Sequence, residues 1–82
     1  MKLFLYSVED KVAGTFTPLS SFENDALATR AYKAAVNNVK GDSIMCTNPG
    51  DFALYRLGEI DVKTGEITPC KEFVINLNDL KE

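Results

Sequence analysis

Residues 2–8, KLFLYSV, are apolar at almost every position, with Phe4, Tyr6 and Val8 in one alternating set and Leu3 and Leu5 in the other. Successive side chains leave a strand on opposite sides, so the run predicts a strand covered on both faces, or on one face with a subunit contact on the other. Glu9, Asp10 and Lys11 interrupt it. Residues 13–17 then predict a short second strand that Pro18 stops.

The period changes after Pro18. Residues 20–25, SSFEND, are a helix-start cluster in which Asn24 or Ser20 can cap and Glu23 and Asp25 suit the positive end of the helix dipole. The following stretch is alanine-rich and predicts a helix over residues 25–39. Ala28, Tyr32, Ala35 and Val39 form one stripe, and Arg30, Lys33, Asn37 and Lys40 lie on another face. Gly41 is placed to end the helix.

Residues 42–50 read as a loop, with Asn48-Pro49-Gly50 a turn signal. Residues 51–62 predict a long strand, and Gly58 in its middle predicts a bulge or a close backbone approach. Thr64-Gly65 turns the chain, residues 66–68 return antiparallel, and residues 73–77 supply a further extended segment. The sum is a single α+β domain over residues 1–82: one amphipathic helix packed on a small antiparallel sheet of about four strands.

Composition fits that reading. A chain of 82 residues that is 45% hydrophobic and 26% charged is a folded domain with a thin core, which a partner subunit would reinforce; the last few residues are the expected exception to order. The net charge of -3 argues against a protein that coats nucleic acid by neutralising many phosphates. The charge is uneven, however: residues 26–40 carry Arg30, Lys33 and Lys40 and no acid, while acids predominate after residue 50.

Cys46 and Cys70 form no CxxC pair and the chain has no histidine, so structural zinc is not expected and both thiols are expected free in a reducing cytoplasm. The apolar run after Lys2 ends at Ser7 and meets Glu9 and Asp10, too short for a secretory leader or a membrane span.

Two candidate sites follow. Glu59, Asp61 and Glu66 flank the turn at Lys63-Thr64-Gly65, with Glu59 and Asp61 on one strand face and Ile60 and Val62 on the other. Carboxylates there are expected as a solvated face that discourages edge pairing, with a magnesium or calcium site as the alternative. No histidine is present to activate a Ser, Thr or Cys nucleophile and no glycine-rich phosphate loop occurs, so no enzyme, cofactor or resident metal is expected. The second candidate is the helix face of Arg30, Lys33 and Lys40, a solvated surface or a contact for phosphates or an acidic partner. Tyr6, Phe16 and Tyr55 lie on predicted strands, where rings serve either the core or base stacking.

Three stretches, LYSVEDKVAGTF, FENDALATRAY and NPGDFALYRLGEIDVKTGEI, resemble in order the small nonstructural protein of gokushovirus-type microviruses, phages with single-stranded DNA genomes. The Asn-Pro, Asp-Phe, Leu-Tyr, Leu-Gly-Glu and Asp-x-x-Thr-Gly elements of the last carry most of the likeness. It covers most of residues 3–68, whereas CKEFVINLNDLKE matches loosely. The resemblance implies a non-catalytic, non-capsid protein made in the host bacterial cytoplasm and associated with single-stranded DNA synthesis or packaging. It offers no catalytic residues to carry over.

The expected function is therefore that of a phage accessory protein, a homodimer that binds single-stranded DNA weakly through Arg30, Lys33 and Lys40 with help from Arg56 or Tyr55. The alternative is an adaptor that recruits the phage replication or procapsid machinery, or a host factor, without touching DNA. A metal-dependent nuclease built on Glu59, Asp61 and Glu66 comes third.

Overall fold

The computed structural model of the chain describes residues 1–38 and 44–82. It contains β1 (Lys2–Asp10), β2 (Thr15–Phe16), β3 (Ser20–Phe22), α1 (Asp25–Val36), α2 (Ile44–Thr47), β4 (Phe52–Asp61) and β5 (Ile67–Asn76), with 3₁₀ turns at Pro49–Asp51 and Leu77–Leu80. The five strands form one antiparallel sheet with the path β2-β1-β4-β5, and β3 shares an edge of β1 with β2. The α+β reading holds, with one main helix against an antiparallel sheet.

Several elements differ from expectation. Ser20–Phe22, read as part of the helix start, pairs with Phe4, Leu5 and Tyr6 of β1. The helix begins at Asp25, where the Asn24 side chain accepts from the Leu27 N–H at 2.9 Å. Its last turn ends at Val36, because Asn37 leaves helical geometry and its Nδ2 donates to the carbonyls of Lys33 (2.9 Å) and Leu80 (2.8 Å). Val39, Lys40 and Gly41 lie outside the described residues. The inward stripe runs through Ala28, Tyr32 and Val36, whereas Ala35 is exposed.

The two extended pieces expected after the Thr64-Gly65 turn are one strand, β5, which runs through Pro69. Proline is tolerated because β5 is an edge strand, bonded to β4 alone. At the turn Gly65 takes φ 78°, the left-handed region that glycine enters at little cost.

The core lies between the sheet and α1: Tyr6 and Val8 from β1, Phe52 and Leu54 from β4, Ala28 and Val36 from the helix, and Leu77 and Leu80 from the final turn. The C-terminal segment, expected to be the loosest, closes the end of the helix. Glu82 N–H donates to Asn37 Oδ1 at 2.8 Å, and Lys81 Nζ donates to the Val36 carbonyl at 2.9 Å. A cation there satisfies terminal carbonyls and suits the negative end of the helix dipole.

Gly58 marks a bulge, as its place in the strand predicts. Leu5 pairs with Gly58 and Tyr6 with Arg56, so Leu57 is the extra residue and the alternation of β4 changes phase across it. Arg56 and Glu59 therefore lie on the same side of the sheet although they are three apart. The approach of β5 is close: a Cβ on Gly58 would stand 2.9 Å from the Thr68 carbonyl oxygen, a backbone atom. Gly58→Ala is expected to destabilise the fold by about 1–3 kcal/mol, read as a lower urea midpoint with an unchanged slope.

Candidate functional site

The sheet has two unlike faces. On the helix side stand Phe4, Tyr6 and Val8, their partners Glu59, Arg56 and Leu54, and across from these Thr68, Glu72 and Ile75. The opposite side carries the rungs Leu3/Ile60/Ile67, Leu5/Gly58/Pro69 and Ser7/Tyr55/Phe73. Tyr55 and Arg56, the alternative helpers of the basic helix face, thus point to opposite sides.

Arg56 is held by the fold. Its Nη1 donates to both oxygens of Asp25 (3.1 and 3.3 Å), its Nη2 donates to Glu72, and its guanidinium lies 5.0 Å from the Phe4 ring centroid. Partial burial works against its charge, but the Glu72 hydrogen bond and the charges of Asp25 and Glu72 outweigh that and raise its pKa. Asp25, in the first turn of α1, also accepts from the buried Tyr6 hydroxyl at 2.5 Å. The result is an anchor between the start of the helix and the middle of the sheet.

The helix face is partly occupied as well. Arg30 is exposed, but Lys33 pairs with Glu82 at 3.1 Å and Asn37 is bound to the C-terminal segment. Lys40 lies outside the described residues.

The carboxylates at the hairpin have separate surroundings. Glu59 pairs with Lys2 at 3.3 Å, while Asp61 Oδ1 accepts from the Lys63 N–H at 2.9 Å and shapes the turn. Among the described residues, no three acidic or cysteine side chains converge on a point where a metal ion could sit. A cleft of about 180 Å³ lies beside Arg56, lined by Phe4, Glu59, Thr68, Cys70 and Glu72, where the one cation faces carboxylates. Neither Cys46 nor Cys70 is joined in a disulfide.

The face away from the helix gathers a different set. Tyr55 meets Phe16 at 5.7 Å and Phe73 at 5.8 Å between ring centroids, both edge to face, so the rings form a row across β2, β4 and β5. Phe16 is 38% exposed and Phe73 55%. Lys71 Nζ lies 5.5 Å from the Phe16 centroid and 5.7 Å from that of Tyr55, and no carboxylate among the described residues pairs with it. The sequence placed Phe16 and Tyr55 on strands; Tyr6, read with them, is in the core. Lys71 and Phe73 were missed because β5 was read as two pieces. Their signal was the alternation Ile67, Pro69, Lys71, Phe73, which puts all four on one side of a single strand.

Residues 3–80 match the model of the family described as Phage ORF5 protein, a span from β1 through the final 3₁₀ turn. The chain belongs to the Phage ORF5 protein family. Neither a curated protein nor a solved structure matches it. Membership makes this a phage protein, and among the described residues no helix is long and apolar enough to cross a membrane.

The anchor at Asp25 has a pH signature. Burial first, then the hydrogen bond and charge of Asp25, hold the Tyr6 hydroxyl well above the ordinary tyrosine pKa. Above about pH 10 the unfolded chain releases that proton while the folded chain keeps it, so stability falls as pH rises through this range. Tyr6→Phe should lose about 1 kcal/mol at neutral pH and show a shallower decline of Tm towards about pH 11, measured by thermal melts beside the wild type.

Proposed function

We propose that this chain is a non-catalytic accessory protein of a single-stranded DNA phage of the gokushovirus-like microvirus kind, acting in genome synthesis or packaging in the host cytoplasm by binding DNA weakly as a dimer. The observation that carries this reading is the sheet face left uncovered by the helix, where the exposed Phe16 and Phe73 rings flank Tyr55 and Lys71 lies over Phe16 and Tyr55 with no carboxylate paired to it among the described residues. Rings offer faces on which unpaired bases stack, and a cation among them suits the phosphate chain. Duplex DNA hides its base faces, so single strands are the form such a surface favours. The net charge of -3 keeps affinity per subunit low, and dimerisation raises it by presenting two surfaces to one strand.

An adaptor role is supported by a separate observation. β5 is a ten-residue edge whose outer hydrogen-bonding groups face no other strand among the described residues, and Ile67 on it is 57% exposed. Such an edge can receive a strand from a phage or host protein.

The deciding measurement is fluorescence anisotropy of a labelled single-stranded oligonucleotide, with duplex DNA beside it, at two salt concentrations. Binding that prefers the single strand and weakens with salt is the expected result. Absence of binding at low salt would reject the DNA reading and leave the adaptor.

A further inference from the structure

We infer that Phe16, Tyr55, Phe73 and Lys71 form a base-stacking subsite, in which unpaired bases lie against the exposed Phe16 and Phe73 rings and Lys71 holds the intervening phosphate. This rests on the reading above and adds to it the place of contact: the sheet, and not the helix face.

The fold fixes the rings. Tyr55 sits on β4, central in the sheet, and touches both neighbours edge to face, so Phe16 and Phe73 are braced against it while more than a third of each remains exposed. Rings already immobilised lose little freedom when a base arrives, which favours binding at small area. Core packing does not explain Phe73, whose exposure is among the largest of any aromatic side chain here, and β5 gains nothing in solubility from it. Lys33 faces Glu82 and Arg56 faces Asp25 and Glu72, whereas Lys71 lies over the Phe16 and Tyr55 rings and pairs with no carboxylate among the described residues.

One acid borders the subsite. Glu9 pairs in register with Phe16, in the same alternating set of β1 as Ser7, which is opposite Tyr55. No ion pair joins Glu9 to Lys71. Its negative charge opposes a phosphate at Lys71, and removing it should tighten binding. That sign is useful, because a variant that merely misfolds cannot bind better.

The test uses the full chain and a fluorescein-labelled single strand of about twelve thymidines, within the length that small single-strand binders occupy. Phe73→Ala is expected to weaken binding about ten-fold, the loss of one stacked base. Lys71→Ala should weaken it and lower the magnitude of the salt slope by about 0.7, one single-strand phosphate contact. Glu9→Gln should strengthen it about two- to three-fold, and Arg30→Glu on the helix should change it less than about two-fold because its charge is screened from the opposite side of the sheet. Of the three tyrosines only Tyr55 lies in the subsite, so with no tryptophan present saturating oligonucleotide should quench the Tyr55 share of the emission and leave that of Tyr6 and Tyr32.

Wild-type binding that survives Phe73→Ala and Glu9→Gln unchanged, or that is lost with Arg30→Glu, overturns the subsite and leaves DNA binding standing. No wild-type binding overturns both. A wild-type dimer by light scattering that Phe73→Ala converts to monomer would assign the rings to a second copy of the chain, and likewise overturns the subsite.

Discussion

One helix can cover only one face of a sheet, and the described residues contain one helix of useful length. At 12 residues α1 is about 18 Å long, enough to shield Tyr6, Val8 and Leu54 but placed wholly on their side. The remaining architecture answers that shortage. The C-terminal turn adds Leu77 and Leu80 to the same core, and the Thr17 segment covers the buried Ser7 on the other side, where its carbonyl accepts the Ser7 hydroxyl at 2.6 Å. Beyond Ser7 the second face stays open, and its apolar character needs a purpose outside the monomer's own stability.

The placement of α1 on the correct face depends on charge as well as on packing. Asp25 begins the helix, where its carboxylate favours the dipole, and simultaneously receives Arg56 and Tyr6 from the two central strands. A part-buried arginine is tolerable because Asp25 and Glu72 satisfy it on both sides. This explains why a residue that looks like a nucleic-acid contact in the sequence is absorbed into the scaffold. Its side of the sheet is set by the Leu57 bulge, which lets β4 carry Arg56 and Glu59 inward and Tyr55 outward.

Local signals were legible. The cap at Asn24, the turn at Gly65, the bulge near Gly58 and the apolar strand β1 each rest on a physical preference within a few residues. What failed to show were choices made by distant partners. Ser20–Phe22 has helix-start chemistry, yet β1 offers it a free edge and the edge wins. The final segment reads as polar and loose, yet Asn37 binds both Leu80 and Glu82 and makes a clasp of it. The candidate site divides in the same way: ring types on strands could be read, but their side of the sheet required register, and Lys33 looked free because Glu82 is far along the chain.

The pairing of β1 with β4 has a consequence for synthesis. The first strand, Lys2–Asp10, finds its longest partner only at Phe52–Asp61. At bacterial and eukaryotic translation rates the ribosome takes roughly 2–8 s to make the chain between them. Through that interval the nascent Leu3, Phe4, Leu5 and Tyr6 have no sheet to enter beyond the small β2 and β3 pieces. Formation of the central pair of the sheet is therefore deferred until β4 has been made, and until then the apolar first strand stays without its main partner.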